Sequence, residues 1–401
     1  MLARRAAGLA TSFPAPHFPS ELASQVIPFD SGFAFPGVLP DLTRFAQVAL
    51  TTHREEALQY APTQGNPELR AWLADYMNAD GCNLTARDII VVNGAKHGLD
   101  LISRLLLDEG DSIVVTAPMY FTAIPIFRSF GVQFIEVGQD RDGLRVEELE
   151  EIFAYFEAEG RRPPKLIYNV VDYHNPTGVT MARTRREALV DFAVRRGVCL
   201  VEDNPYRRVR FEGDPLPCLK ALDRARTVFH VGTFSKLIAP GLRIGWIAAD
   251  PDSVARLMQL KSDGGTNPLI QRMVLEFCRS EAFAAHVVRV QTAYREHRDR
   301  MVAAVRRELP QAAITLPHGG YYLWLSFPEH VDCDALARSA AAAGVNVIAG
   351  TRFFAPAVDA SGRRRAPPRN HLRLSYSYAT PEQIDAGVAR LAAALRSQIA
   401  A

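Results

Sequence analysis

Between Val231 and Trp246 the chain reads Val-Gly-Thr-Phe-Ser-Lys-Leu-Ile-Ala-Pro-Gly-Leu-Arg-Ile-Gly-Trp, a stretch in which one lysine, two hydroxyls and an arginine sit among glycines and apolar residues. Lys236 lies between two strand-like runs, residues 227–231 and 244–248. Burying an ammonium is costly and draws its pKa down. A lysine in this setting is therefore either an ordinary loop cation at the surface or a nucleophilic amine kept for Schiff-base chemistry with a carbonyl. Its neighbours favour the amine: Thr233 and Ser235 offer hydroxyl donors and Arg243 a guanidinium fork, a set suited to one phosphate dianion. A lysine beside a phosphate grip suggests pyridoxal phosphate.

Three more segments carry groups that such a cofactor could use. Asn175-Pro176-Thr177-Gly178 follows an apolar run, and an asparagine amide fixed ahead of a proline can donate to a phenolate oxygen. Glu202-Asp203-Asn204-Pro205-Tyr206 closes another run, where a carboxylate can pair with a protonated pyridine nitrogen. Acid pairs at such positions also serve as caps or metal ligands; no other metal-type ligand lies nearby in the sequence, so no metal is expected. Asn93-Gly94-Ala95-Lys96-His97-Gly98 joins a strand to a helix, the geometry in which free backbone N–H groups bind phosphate. Arg373, inside the apolar run Leu372-Arg373-Leu374, needs an anionic partner.

Ser235-Lys236 followed by Pro240-Gly241-Leu242-Arg243-Ile244-Gly245-Trp246 resembles the cofactor-lysine segment of class I/II aminotransferases, the fold type I pyridoxal-phosphate enzymes. Its wording is closest to the branch of 2-aminoadipate and aromatic aminotransferases and MocR-type regulators. Tyr60, Tyr120, Asn175, Asp203, Tyr206, Ser235, Lys236, Arg243 and Arg373 all occur in the order that family requires, and the resemblance runs from about Val26 to the C-terminus.

The resemblance implies an α/β protein: a large domain with a mostly parallel seven-stranded sheet flanked by helices, plus a small α+β domain. It implies that Lys236 forms the Schiff base and moves the Cα proton, that Asp203 faces the ring nitrogen, that Asn175 and Tyr206 reach the phenolate oxygen, and that Tyr120 stacks on the ring. Gly94, Ala95, Lys96, Thr233, Ser235 and Arg243 would hold the phosphate of pyridoxal 5′-phosphate. Relatives often carry a hydroxyl or glutamine at the positions of Ala95 and Lys96, so here the grip would rest on backbone amides, with Lys96 adding charge. Arg373 would make a fork with the substrate carboxylate, with Asn175 beside it. Gly32 and Phe33, in a loop rich in glycine, proline and aromatics, would lie at the mouth of the site.

Tyr60 would reach the phosphate of a neighbouring subunit, which makes a homodimer with shared active sites the expected assembly. The implied reaction moves an α-amino group between an L-amino acid and a 2-oxo acid. Elimination or replacement, decarboxylation, or oxidation on the same residues are the alternatives. A cofactor-binding regulatory domain is a remote one, because it calls for a DNA-binding domain and about 25 residues precede the match. Phe33, Phe35, Tyr120, Tyr321 and Tyr322 lean toward a bulky or aromatic side chain, while nearby arginines leave an acidic one open.

The elements that must place these residues alternate between short apolar runs and helical stretches, the pattern of a doubly wound sheet. We expect an amino-terminal arm and part of the small domain over residues 1–50, the large cofactor-binding domain over 51–275 and the small domain over 276–401. A long helical region runs from the loop 262–268 to about residue 309, and residues 345–349 read as one strand. Arg295, Arg298 and Arg300 read as solvated, Glu147, Glu148, Glu150 and Glu151 as a solvated helix face, and His97 as a helix-surface residue.

With 401 residues, 48% of them hydrophobic, the chain can bury a large core. A net charge of +2 gives no global electrostatic case for nucleic acid or membrane partners, and no apolar run reaches the roughly 18 residues of a membrane span. Five unclustered cysteines point to reduced thiols and a cytoplasmic protein. Arg4 and Arg5 with no acid in the first twenty residues faintly resemble a transit peptide, but Pro14, Pro16 and Pro19 interrupt any amphipathic helix there, so an arm is expected.

Overall fold

The computed structural model describes residues 26–359 and 361–399, so the arm expected before residue 26 lies outside the described residues. After β1 (Ile27–Pro28), the large sheet is built from β2 (Ile89–Val92), β3 (Ser112–Ala117), β4 (Gln133–Asp140), β5 (Gly143–Leu144), β6 (Leu166–Asn169), β7 (Cys199–Asp203), β8 (Val228–Thr233) and β9 (Gly245–Ala248). Their order across the sheet is β2-β9-β8-β7-β6-β3-β4-β5. The pairs from β8 through β4 are parallel, whereas β9 runs antiparallel to both β8 and β2. The seven strands expected are joined by an eighth, β5, a two-residue antiparallel edge on β4.

The strands are apolar runs because both faces of the sheet are covered. Val114, Ile167, Leu200 and Val228 meet the helices Val146–Ala158 and Arg183–Arg196 on one face, while Ile113, Tyr168, Val201 and Val231 join a second cluster on the other. A smaller antiparallel sheet is formed by β10 (Ala313–Ile314), β11 (Tyr322–Ser326), β13 (Ile348–Ala349) and β14 (His371–Ser375), and it packs in a third cluster with Pro381–Ile399 and the end of Glu281–Glu308. β12 (Val345–Asn346) pairs in parallel with β1.

Several local expectations change. The run 345–349 is not one strand: β12 and β13 join different partners with Val347 between them. The long helical region is two helices, Pro268–Arg279 and Glu281–Glu308, because Ser280 adopts an extended conformation and caps both. Arg298 is buried, with its guanidinium on the Pro317 carbonyl at 2.6 Å and on Glu212 at 2.5 Å. Glu148 accepts from the Gly138 N–H and from Arg145, and Glu150 pairs with Arg195 and Arg196, so that helix face is an ion-pair seam rather than a bare solvated one. His97 is half-buried, its Nδ1 accepting from the Asn93 N–H at 3.1 Å.

Under the sheet's carboxyl ends lies a buried ionic knot. Arg186 donates to the carbonyls of Met181 at 2.9 Å and Pro217 at 3.0 Å and to Asp172 at 2.5 Å. Burial opposes ionisation of Asp172, but Arg186 and Arg207 hold it down at about 2. Removing one partner from such a pair strands the other charge. Arg186→Ala should therefore cost about 3–5 kcal/mol, read as a lowered urea midpoint at unchanged slope.

Candidate active site

The parallel strands deliver their chemistry at one edge, as open α/β sheets do. β7 ends in Asp203, β8 in Thr233, β3 leads into Pro118 and Tyr120, and β6 leads through Val170 to Asn175. Around a cavity of about 140 Å³ the fold gathers Ala95, Lys96, Tyr120, Asn175, Asp203 and Tyr206 with Thr233, Ser235, Lys236 and Arg243. Ten positions singled out in the sequence, separated by up to 148 residues, thus line one space.

Lys236 follows β8 at the cavity wall. Its Nζ donates to the Gly32 carbonyl at 2.8 Å and stands 5.3 Å from the centre of the Tyr321 ring. Burial, aided by Arg373 and Arg243 and opposed by Tyr322, lowers its pKa. Among the described residues no carboxylate is paired with it. Gly32 must be glycine, because a Cβ there would collide with the Tyr322 hydroxyl and sit 3.4 Å from Nζ. The mouth loop therefore closes directly on the amine. Phe33 packs edge-on against Tyr378 and its carbonyl accepts from Ser377, whereas Phe35 turns away onto His297.

At the other end stands an anion cradle. The helix Ala95–Leu106 opens with Gly94 at φ +82°, where a Cβ would come within 2.5 Å of the Arg243 guanidinium. Arg243 itself takes a left-handed backbone, φ +55°, which is uncommon outside glycine, and its fork bonds the Asn93 and Pro240 carbonyls at 3.0 and 3.2 Å. Thr233 donates to the Ile244 carbonyl at 2.9 Å and accepts from the Ser235 N–H at 3.1 Å, which fixes both hydroxyls. Lys96 is exposed at the cavity rim beside Arg243, and desolvation of its ammonium, then that neighbouring charge, lowers its pKa. Two cations, two hydroxyls and the first turn of a helix suit a dianion.

Between the ends lies the polar middle. Asp203 is buried; its Oδ2 accepts from the Tyr168 hydroxyl at 2.8 Å, and its Oδ1 has no partner among the described residues. Burial raises its pKa to about 6, against the pull of Tyr168 and His230. Asn175 Oδ1 accepts from Arg373 at 3.1 Å, and its Nδ2 has no partner among the described residues. Tyr206 and Tyr322 bring their hydroxyls to 3.5 Å. Tyr120 lines the cavity, and burial pushes its hydroxyl far above the range in which it would ionise.

Arg373 is buried, and among the described residues no carboxylate pairs with it. It donates to Asn175 and to the Asp30 carbonyl, stacks 4.1 Å from the Tyr322 ring, and its Nε has no partner among the described residues. A buried acceptor, a buried amide donor and a buried guanidinium, each with capacity to spare, are the complement of a cationic ring nitrogen, a phenolate oxygen and a carboxylate. The donor set therefore fits pyridoxal phosphate.

Tyr60 is not brought to this cavity: it is 88% exposed. Tyr168, Phe121 and Phe353, which shape the surroundings of Asp203 and Arg373, were missed in the sequence. Tyr168 left one signal, a phenol in an otherwise apolar buried strand, which needs a hydrogen-bond partner. Glu202 is also not without metal-type neighbours, since His230 and Cys218 lie against it.

The family described as aminotransferase class I and II matches residues 22–391. An aromatic-amino-acid aminotransferase of Thermococcus litoralis is 33% identical over 382 residues, covering 94% of this chain and 89% of that protein. The structure of a Pyrococcus horikoshii kynurenine aminotransferase in complex with PMP superposes with a TM-score of 0.90 at 30% identity, covering 100% of this chain and 98% of that one. An α-aminoadipate aminotransferase from Thermus thermophilus, complexed with N-(5′-phosphopyridoxyl)-L-leucine, gives 0.84 at 32% identity, with 95% of each chain covered.

Proposed function

This chain belongs to the aminotransferase class I and II family and is a pyridoxal-phosphate-dependent aminotransferase, and from that premise we propose that Lys236 is the residue that carries the cofactor and moves the substrate proton. The observation behind the proposal is the pair of buried atoms without a partner among the described residues, Asp203 Oδ1 and Asn175 Nδ2, in the wall that also holds Lys236. When bound, pyridoxal phosphate supplies an electron-poor ring that takes up the charge left at the amino acid Cα.

The chain's own residues set up that chemistry. Lys236, with its pKa lowered by burial, gives up its proton more readily than a free lysine, which suits it to attack a carbonyl and later accept and return a proton. Asp203 offers Oδ1 to the ring nitrogen, and Asn175 and Tyr206 offer donors to the ring oxygen. Gly94, Ala95, Lys96, Thr233, Ser235 and Arg243 hold the phosphate, and Tyr120 covers the ring. Arg373 binds the substrate carboxylate through its guanidinium. The Tyr322, Phe353 and Phe121 rings, 4.1, 5.0 and 5.7 Å from the Arg373 guanidinium carbon, favour an aromatic or other bulky amino acid, in keeping with the names of the relatives.

Exposed Tyr60 and its exposed neighbour Leu58 support a homodimer in which Tyr60 completes the partner's phosphate site. Free thiols at all five cysteines support a cytoplasmic setting. Among the described residues no helix is long and apolar enough to cross a membrane.

The experiment is to add amino acids one at a time to the loaded enzyme and follow both the cofactor absorbance and the released products. A stoichiometric 2-oxo acid, greatest for aromatic donors, supports the reading. Ammonia, carbon dioxide or peroxide in its place rejects transamination and keeps the site.

Tyr168 makes a separate prediction. Its hydroxyl pins one Asp203 oxygen and favours the charged carboxylate, with His230 and Tyr120 the other titratable groups facing it. The cofactor-free protein has Asp203 at about 6, so its charge, and with it cofactor uptake, falls as pH drops through that value. Tyr168→Phe removes a donor to the charged form, and the uptake midpoint should move to higher pH. Reconstitution titrations of both proteins check this, since the cofactor phosphate titrates identically in each.

A further inference from the structure

Behind Asp203, on the opposite face of β7, three donor atoms from three elements converge outside the site described above, with a second thiol beside one of them. Glu202 and Asp203 are successive strand residues and so point to opposite faces. Glu202 meets His230, its partner in the β7–β8 register, with Oε2 2.8 Å from Nδ1. Cys218, just before the short helix Leu219–Leu222, joins them, so that one ligand atom from each of the three lies within 4.8 Å of the others. Cys82, from the loop after the helix Pro67–Asn78, places its Sγ 3.5 Å from that of Cys218. All four are buried.

We propose that Glu202, His230 and Cys218 form a binding site for a thiophilic divalent cation of the zinc class, with the Cys82 thiol beside Cys218 swinging in as the fourth ligand. One carboxylate, one imidazole and two thiols are a four-ligand set of the kind tetrahedral zinc takes, and the ligand atoms of such a site stand about 3.3–3.8 Å apart given bonds of about 2.0–2.3 Å. The Cys82–Cys218 spacing already falls in that range. The imidazole and carboxylate need to open by about half an ångström, and Cys82 Sγ, outside the group that the other three form within 4.8 Å, has to swing toward them. The Leu219 N–H holds Glu202 Oε1 at 2.8 Å and orients the carboxylate in the way outer partners of a metal ligand do. A cavity of about 30 Å³ is lined in part by Cys218 and His230.

Binding displaces protons. A metal takes thiolates and a neutral imidazole as ligands, so its binding displaces thiol protons. The set is assembled from residues far apart in the chain, and the transamination chemistry uses none of them.

The test uses the full-length holoenzyme, stripped with a chelator and titrated with cadmium chloride. A thiolate-to-cadmium charge-transfer band that saturates at one equivalent, with release of protons, is expected. Cys218→Ser should abolish the band. His230→Gln, which keeps both thiols, should weaken binding by roughly tenfold or more. Zinc should compete for the same equivalent and raise the thermal midpoint of the wild-type protein but not of Cys218→Ser. Absence of the band in the wild-type protein, or a band of unchanged strength and affinity in Cys218→Ser or His230→Gln, overturns the proposal and leaves Glu202–His230 a structural ion pair. The readout is independent of amino-acid turnover.

Discussion

Replacing Lys236 with alanine lowers transamination by at least roughly 10⁴-fold, because it removes the nucleophilic amine and the proton carrier together. The fold survives the change. The side chain makes one hydrogen bond, to the Gly32 carbonyl, and packs on Tyr321, and neither contact ties elements together as Arg186 or Arg298 does. Cofactor should still enter, held at its phosphate end by the cradle around Arg243, but it should wash out on gel filtration. Lys236→Arg keeps the positive charge and loses the usable amine, so it should be equally inactive. That pairing separates chemistry from electrostatics, and added methylamine should restore a small part of the rate in Lys236→Ala alone. Steady-state assays with an aromatic amino acid check all three.

Asp203→Asn is expected to have the next largest effect. The substitution keeps shape and a partner for the Tyr168 hydroxyl but removes the charge that faces the cavity through Oδ1. A pre-aimed charge acting in a buried site is worth roughly 10²–10³-fold when lost. Because the charge acts on what develops during reaction, the loss should fall on kcat with little change in KM for the amino acid. Asp203→Glu keeps the charge but moves it by one methylene, and it should recover part of the rate. Equal rates for Asp203→Asn and the parent protein would remove Asp203 from the chemistry.

These two residues were visible in the sequence for different reasons from those that hid the others. Lys236 and Asn175 are conspicuous because each sits in a local pattern, a lysine among glycines and hydroxyls, an amide before a proline. Asp203 is visible as an acid closing an apolar strand. Tyr168 is hidden because its partner lies 35 residues on, and only the parallel pairing of β6 and β7 brings them together. The same holds for Glu202 and His230, adjacent only through sheet register, and for Cys218, brought to them by the turn ahead of the helix Leu219–Leu222.

Arg298 was legible but misread. Tyr294, Arg298, Met301, Val302 and Val305 share the buried stripe of their helix, and the periodicity that marks the apolar residues also marks the arginine among them. Its charge suggested solvent, and the Glu212 carboxylate that offsets its burial is 86 residues away. The division of residues 345–349 between two sheets depends on β1, more than 300 residues earlier, which no local pattern reports.

The most direct test of the central claim is to reduce the purified enzyme with borohydride and map the pyridoxyl group by peptide mass spectrometry. Reduction makes the bond between cofactor and lysine permanent. One pyridoxyl group on the peptide containing Lys236, and none elsewhere, is the result expected. Lys96 lines the same cavity and is the informative competitor. A label on Lys96, or on any lysine other than Lys236, contradicts the assignment.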